Sequence, residues 1–197
     1  VITGISLLLA GCKKDTVPAE HTVNLVNSAA RSDIILQQSG SDITGTFQPK
    51  DGYGQDVFVE KRKKARAQNK NDVAELSISS WVYGDTLYGS AAYVWFTDLG
   101  IIQTDAQIVS ARLKLTTPPA SVSVPQGNSG NNAANVYRVT GRWDEATLTF
   151  ANEPPHTTEG AAYMAPAPGP WSYTTDVDVT AMVKYMVANP AESFGFY

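Results

Sequence analysis

Cysteine and charge are both scarce in this chain. Its 197 residues include one cysteine and two histidines, and charged residues make up 17% of the sequence. One cysteine excludes a disulfide within the chain and a cysteine-based metal cluster. The net charge of −4 gives no general reason to expect binding to nucleic acid or to a membrane surface. Long amphipathic helical patterns are also missing, which favours an all-β domain.

What the chain has instead is a series of short segments with alternating polarity. The strongest ones cover residues 92–99 and 106–116, and loops rich in proline and glycine lie between such segments. One short helix is predicted from Ala181 to Ala188, with Thr180 as its N-cap. Its apolar stripe consists of Val179, Met182, Val183 and Met186. We therefore predict a β-sandwich of jelly-roll type with one short helix near the C-terminus.

The single cysteine, Cys12, stands at the end of a short apolar run. That run has the character of the last part of a secretory signal, and it is shorter than the roughly 20 residues that span a bilayer. Leu9-Ala10-Gly11-Cys12 resembles the lipobox of bacterial lipoproteins. The resemblance implies cleavage before Cys12 and acylation of its sulfur and new amino group. The alternative is a chance apolar start with a buried free thiol.

These features divide the chain into three parts. Residues 1–11 are interpreted as a signal peptide without its start, and residues 12–54 as the lipidated cysteine and a flexible tether. Residues 55–197 form the predicted sandwich module, which we expect to continue beyond residue 197. We accordingly expect a lipid-anchored protein of the cell envelope, on the outer membrane and exposed at the cell surface, that contacts the membrane through its lipid alone.

Several segments of the predicted module carry a family resemblance. The clearest are Asp56-Val57-Phe58-Val59, Val136-Tyr137-Arg138-Val139 and the block from Trp143 to Pro154, which contains Trp-x-Glu-x-Thr-Leu-Thr-Phe. Over about residues 55 to 197 the chain resembles the DNRLRE domain family, which is related to carbohydrate-binding module family 96. The resemblance implies a secreted β-sandwich, of a kind commonly attached to polysaccharide-active enzymes or cell-surface proteins. Some relatives bind polysaccharides such as alginate.

Aromatic and basic side chains are the candidate binding residues. Aromatic rings stack on the C–H faces of sugars. If Val94 and Phe96 face the core, alternation directs Tyr93 and Trp95 outward, and Trp81 and Tyr83 lie in a loop-like stretch. A run of basic residues that includes Lys61, Lys63 and Lys64 is a candidate for pairing the carboxylates of an anionic polysaccharide. The alternatives are aromatic rings that cover a sheet and lysines in a solvated loop.

Catalytic and metal-binding patterns are weak. Asp144 and Glu145 are adjacent, so on a strand they face opposite sides and do not form an acid–base pair. Asp56, Asp98 and Asp178 are candidate ligands of a structural calcium ion, and no other cofactor is expected. We therefore predict a non-catalytic polysaccharide-binding module. A structural or adhesive spacer, and the N-terminal part of a polysaccharide-degrading enzyme, stay open as alternatives.

Overall fold

The computed structural model describes residues 2–9, 35–39, 42–49, 54–61, 68–69, 76–83, 85–116, 132–169 and 174–197. The paired strands in these ranges are antiparallel and lie in two sheets. The strands are β1 (Ile2–Leu9), β2 (Ile35–Ser39), β3 (Asp42–Phe47), β4 (Gly54–Lys61), β5 (Gln68–Asn69), β6 (Ser79–Tyr83), β7 (Thr86–Phe96), β8 (Ile108–Thr116), β9 (Ala134–Val139), β10 (His156–Met164) and β11 (Thr174–Asp178).

The first sheet has the strand order β11, β8, β1, β3, β2. Strand β1 lies in the segment predicted as a signal peptide, and β2 and β3 lie in the segment predicted as a tether. The backbone of Ile5 pairs with Leu113 on one side and with Phe47 on the other. Because Phe47 is buried in the core, the ordered part of the chain begins before residue 55. This corrects the expectation of a flexible tether for residues 35–49; residues 10–34 lie outside the described ranges.

The second sheet is built around β7. Strand β4 pairs with β7 from Gly89 to Phe96, and β6 pairs with its first half on the opposite edge. Farther along that edge, Phe196 bridges Val94 and Arg138, so the C-terminal residues connect β7 to the β9–β10 pair. Gly195 makes this approach possible: its φ is +85°, and a Cβ atom there would stand 2.1 Å from the Val94 carbonyl oxygen.

The two sheets share one hydrophobic core. Ala111, Leu113 and Val177 of the first sheet meet Val94 and Phe96 of the second. A smaller cluster forms on the outer face of the second sheet, where the segment from residue 141 to residue 155 covers β4 and β7. Its buried members are Val57, Val59, Tyr93, Val139, Trp143 and Leu148. Strand β7 is therefore covered on both faces along its second half.

The predicted helix is present as α1 (Thr180–Ala188), and the four residues of its predicted apolar stripe are buried. Thr180 is not the N-cap, because Val179 occupies that position. Instead, Thr180 Oγ1 accepts the N–H of Ala111 at 2.9 Å and donates to Asp178 at 2.6 Å, which fastens the helix to β8. The Thr180 hydroxyl, its N–H and Arg112 lower the pKa of Asp178.

An all-β domain with one helix near the C-terminus is confirmed. Two sheets around a shared core are the arrangement of a β-sandwich, while the jelly-roll strand order stays a prediction. Among the described helices, none has the length and apolar character that crossing a membrane requires.

Candidate functional site

The hairpin of β6 and β7 projects aromatic side chains from the second sheet. Tyr83 pairs with Thr86, so two residues make the turn, and the register then places Trp81 opposite Tyr88. Residues directly opposite on paired strands share a face of the sheet. By the alternation along β7, that face is the one on which Val94 and Phe96 reach the core. At the hairpin this face is no longer fully buried, as the 43% exposure of Trp81 indicates.

Trp81 and Tyr88 form a nearly parallel pair of rings. Their centroids are 5.5 Å apart and their planes differ by 14°. Because this centroid separation exceeds the roughly 3.5–4.0 Å contact distance of carbon atoms, the rings are offset rather than fully superimposed. Each ring therefore covers part of one face of the other, and the remaining ring surface of the pair is partly exposed. We call this pair of rings the aromatic platform.

A group of serine hydroxyls follows the aromatic platform along the same hairpin. Ser79 Oγ lies 2.6 Å from Ser90 Oγ, and Ser77 Oγ lies 3.2 Å from the same atom. Ser79 pairs directly with Ser90, and both stand two residues from the platform residue of their own strand. The hydroxyls therefore share the platform's face of the sheet. An apolar ring surface beside a row of hydroxyls suits a ligand that is itself amphipathic and rich in hydroxyl groups.

The other predicted aromatic pair, Tyr93 and Trp95, does not form an open surface. Tyr93 is 1% exposed and packs against Trp143, with ring centroids 5.7 Å apart. Trp95 is half-buried against Trp143 and Phe194. Alternation correctly assigned the two residues to the face opposite Val94, but the segment from 141 to 155 covers that face. The expectation that Tyr93 stacks on a ligand is therefore corrected, and Trp95 contributes only a partly exposed ring.

Tyr93 is also committed to a hydrogen bond inside the smaller cluster. Its hydroxyl donates to Glu153 Oε1 at 2.9 Å. Burial, followed by the nearby charge of Glu153, raises the pKa of Tyr93 well above its ordinary value. Tyr197 packs on Tyr93, and burial with the same carboxylate raises the pKa of Tyr197 as well. The four-residue arrangement with Trp143 holds the covering segment on the sheet.

Trp143, in the block that carries the family resemblance, is part of the packing of the smaller cluster. It is 6% exposed, and its indole N–H donates to the Phe194 carbonyl at 2.9 Å. Beside it, Glu145 Oε2 accepts the Asp56 N–H, and the Glu145 N–H donates to the Gln55 side chain. These bonds join the covering segment to β4. Glu145 thus has a structural role in the described contacts.

His156 stacks on Tyr137 and Tyr197, with ring centroids 5.3 and 4.6 Å away. Asp144 Oδ1 accepts the N–H of Ala146 within its own turn. Neither contact joins these residues to Glu145 as an acid–base pair.

The remaining predicted site residues are placed only in part. Lys61 ends β4, where its backbone pairs with Gly89 beside Tyr88, so the first residue of the basic run lies near the aromatic platform. The side chains of Lys61 and Tyr83, and the whole of Lys63, Lys64 and Cys12, lie outside the described parts of the structure. Their roles in glycan binding and lipidation stay predictions.

The three candidate calcium ligands are distributed over the module. Asp56 is on β4, Asp98 is buried in the turn Thr97–Ile101 after β7, and Asp178 is paired with Arg112 in the first sheet. Within the described ranges, no three acidic, histidine or cysteine residues are grouped as a metal site would require. A structural calcium bound by these three aspartates has no geometric support there.

Tyr88 is the binding candidate that the sequence interpretation missed. The available signal was the spacing around Gly84-Asp85, since a two-residue turn between Tyr83 and Thr86 sets Trp81 opposite Tyr88. A separate shallow depression of about 360 Å³ lies beside the end of α1. It is lined by Thr104, Ala106, Gln107, Ile108, Val109, Lys184 and Ala188, and it holds no aromatic ring.

The sequence from residue 52 to residue 197 matches the model of carbohydrate-binding module family 96. No curated protein and no solved structure matches the chain. The matched range takes in the hairpin with the aromatic platform, the covering segment with Trp143 and the C-terminal helix. A carbohydrate-binding module is a non-catalytic domain. The expected relation is confirmed, and the chain belongs to carbohydrate-binding module family 96.

Proposed function

We propose that this module binds a polysaccharide through the aromatic platform of Trp81 and Tyr88, and that a lipid at Cys12 holds it on the surface of a bacterial cell. The observation that carries the binding site is the nearly parallel, partly exposed pair of rings. A pyranose presents an apolar C–H face that packs on such rings, while its hydroxyls at the rim bond to polar neighbours. Ser77, Ser79 and Ser90 supply those neighbours.

The test of this site is affinity electrophoresis of the chain in gels that contain alginate, pectin or a neutral glucan. Dissociation constants between about 1 mM and 1 μM are expected for a single shallow site. Trp81→Ala removes one stacking surface and should weaken binding by at least about tenfold, which corresponds to about 1.4 kcal/mol. Tyr163→Ala is the matched control, because Tyr163 is an aromatic residue with 66% exposure on another strand.

The same gels decide between binding and a spacer function. If no gel retards the unmodified chain, the polysaccharide site is wrong and the structural or adhesive spacer is favoured. If Trp81→Ala and Tyr163→Ala migrate alike in a gel that retards the unmodified chain, the ligand binds somewhere other than the aromatic platform.

An acidic polysaccharide is the class that we propose as ligand. Six of the chain's fifteen basic residues fall between Lys61 and Lys70, and β4 ends at Lys61 next to the platform strand. Replacing Lys61, Lys63 and Lys64 with alanine should weaken binding mainly at low salt, because exposed charges are screened over about 8 Å at physiological ionic strength. Equal weakening at low and high salt would contradict a charge-based contribution.

The proposed anchor has its own test and a structural consequence. Cys12→Ser should abolish acylation, and intact-mass analysis of membrane fractions should find added lipid mass on the unmodified protein alone. Cleavage before Cys12 would also remove β1, which lies between β3 and β8. Amide hydrogen exchange of β3 and β8 should therefore differ between the uncleaved and cleaved chains. An unmodified protein without lipid mass would contradict the anchor.

A further inference from the structure

Strand β6 is an edge strand of the second sheet within the described residues. Proteins usually protect such edges with charged residues, prolines or bulges. The sequence of β6, Ser79-Ser80-Trp81-Val82-Tyr83, contains no charged residue and no proline, and its pairing with β7 is in continuous register. Strand β6 therefore has none of these protections against pairing with a further strand.

The register with β7 identifies which backbone groups point away from the sheet. In a hairpin with a two-residue turn, the residues that flank the turn form a hydrogen-bonded pair, and such pairs alternate along the strands. Tyr83, Trp81 and Ser79 therefore direct their N–H and C=O groups toward β7. Ser80 and Val82 direct theirs toward the outer edge.

Aliphatic side chains are exposed beside the same edge. Val82 is 67% exposed and its pairing partner Leu87 is 56% exposed, on the face opposite the aromatic platform. Ile78, immediately before β6, is 51% exposed. Ser80 and Gly89 lie between Ile78 and the Val82–Leu87 pair, so the aliphatic groups flank the middle of the edge on one face of the hairpin. Aliphatic side chains without aromatic rings fit a protein strand better than a sugar.

We propose that β6 pairs with β6 of a second copy of this chain, antiparallel and around a two-fold axis at Ser80. Around this axis, Ser80 of one copy lies opposite Ser80 of the other. Ile78 of each copy lies opposite Val82 of the other copy, so this contact occurs twice. The outward backbone groups of Ser80 and Val82 then meet hydrogen-bonding partners, and the exposed aliphatic groups pack across the new pair of strands. A two-fold interface requires this self-complementarity, and β6 provides it.

The second copy also completes the aromatic platform. With the axis at Ser80, Trp81 lies opposite Ser79 of the other copy. The rise per residue and the strand separation of a β-sheet then place the two Trp81 Cα atoms about 8 Å from each other. The rings of Trp81 and Tyr88 from both copies then lie on one face of a continuous sheet, beside both sets of serine hydroxyls. This part of the inference rests on the proposed function, since it gives the dimer a four-ring site for successive sugars of one polysaccharide.

The association is expected to be weak in dilute solution. Pairing of one five-residue strand buries less than the roughly 1,000 Å² that stable interfaces need. Crowding of copies on one polysaccharide chain, or on one membrane, raises the effective concentration and compensates for the small area. Covalent trapping is therefore a better probe than elution volume.

Cysteine trapping tests the register directly. In a Cys12→Ser background, Ser80→Cys places the two thiols on a hydrogen-bonded pair with Cα atoms about 5.5 Å apart, inside the range that disulfides span. We expect a disulfide-linked dimer on mild oxidation. Ser79→Cys is the matched control, because the two Ser79 Cα atoms would be about 8 Å apart, which is too far. Adding Val82→Lys to Ser80→Cys should reduce trapping at least about fivefold, since a lysine on the edge opposes pairing.

Equal trapping of Ser79→Cys and Ser80→Cys, or no trapping of Ser80→Cys at millimolar protein, would overturn the dimer. Electrophoresis in the glycan gel that retards the unmodified chain separates this inference from the proposed function. Retardation without trapping leaves the glycan site standing and removes the dimer. Trapping without retardation supports the dimer and removes the glycan function. If both hold, Val82→Lys should weaken binding to the polymer at least about tenfold, through lost bivalency, and leave binding of a short oligosaccharide unchanged.

Discussion

The two halves of β7 carry similar side chains and have opposite surroundings. Tyr88 in the first half packs on a partly exposed tryptophan, whereas Tyr93 in the second half packs on a buried one. The first half is paired with the edge strand β6, and among the described residues neither Trp81 nor Tyr88 belongs to a buried cluster. The second half lies between the main core on one face and the covering segment on the other.

This contrast shows that alternation along a strand predicts which face of the sheet a side chain lies on. It does not predict whether that face is exposed to solvent. Tyr93 and Trp95 do face away from the main core, yet a second hydrophobic cluster forms on that side. Trp81 and Tyr88 share the face that leads to the core, yet in the described part of the chain they lie outside both buried clusters. The candidate binding surface is therefore the part of this face that the buried clusters do not include.

The largest effect is expected when the covering segment over the second half of β7 is disrupted. Trp143→Ala removes a buried indole from between Tyr93 and Trp95, and the free energy of unfolding should fall by about 3–5 kcal/mol. Urea denaturation followed by fluorescence or circular dichroism measures this change. A loss below about 1 kcal/mol would mean that the covering segment contributes little to stability.

A smaller change tests the polar part of the covered half. Tyr93→Phe removes the hydrogen bond to Glu153, and the free energy of unfolding should fall by about 1–2 kcal/mol at neutral pH. The raised pKa of Tyr93 means that the folded state keeps its proton where the unfolded state, with a pKa near 10, loses it. Its stabilising contribution is thus complete below about pH 10 and is lost as the pH rises further.

Urea denaturation of both proteins between pH 8 and pH 11 checks this sign. The unmodified chain should lose more stability above about pH 10 than Tyr93→Phe does. Equal alkaline losses in the two proteins would contradict the role assigned to the Tyr93 hydroxyl.

The boundary between the halves is tested at Ser90. Ser90→Ala removes the contacts with the Ser79 and Ser77 hydroxyls, and we expect a loss of about 0.5–1 kcal/mol in stability. If the hydroxyls belong to the binding surface, glycan binding should weaken as well. Unchanged retardation in the gel would restrict the binding surface to the aromatic rings.

The smallest effect on stability is expected for the exposed half. Trp81→Ala removes the cross-strand contact with Tyr88, so the free energy of unfolding should fall by about 0.2–1 kcal/mol, far less than for Trp143→Ala. The proposed site predicts that the same substitution weakens glycan binding. Trp81→Ala and Trp143→Ala make the same change at a partly exposed and at a buried tryptophan. Comparing them thus separates an effect on binding from an effect on stability. A large stability loss for Trp81→Ala would show that the platform is part of the fold and would weaken the case for a binding surface.

Much of the architecture was accessible from the sequence. Alternation predicted the β-rich fold, and the stripe of Val179, Met182, Val183 and Met186 predicted the buried side of the helix. These predictions succeed because the periods of strands and helices are local properties of the chain. Strand β3 was missed, because Thr44, Gly45 and Thr46 give the segment a weak hydrophobic pattern, although Phe47 belongs to the main core.

The sequence by itself determined the fold class, the family and the supply of aromatic residues, because composition, periodicity and motif are written in consecutive residues. Which rings are available to a ligand was decided only by the tertiary structure. Tyr93 is covered by residues about 50 positions later in the chain, and Tyr88 meets Trp81 only through the register of a hairpin. Solvent exposure depends on contacts between distant segments, and no local pattern records where a covering layer begins or ends.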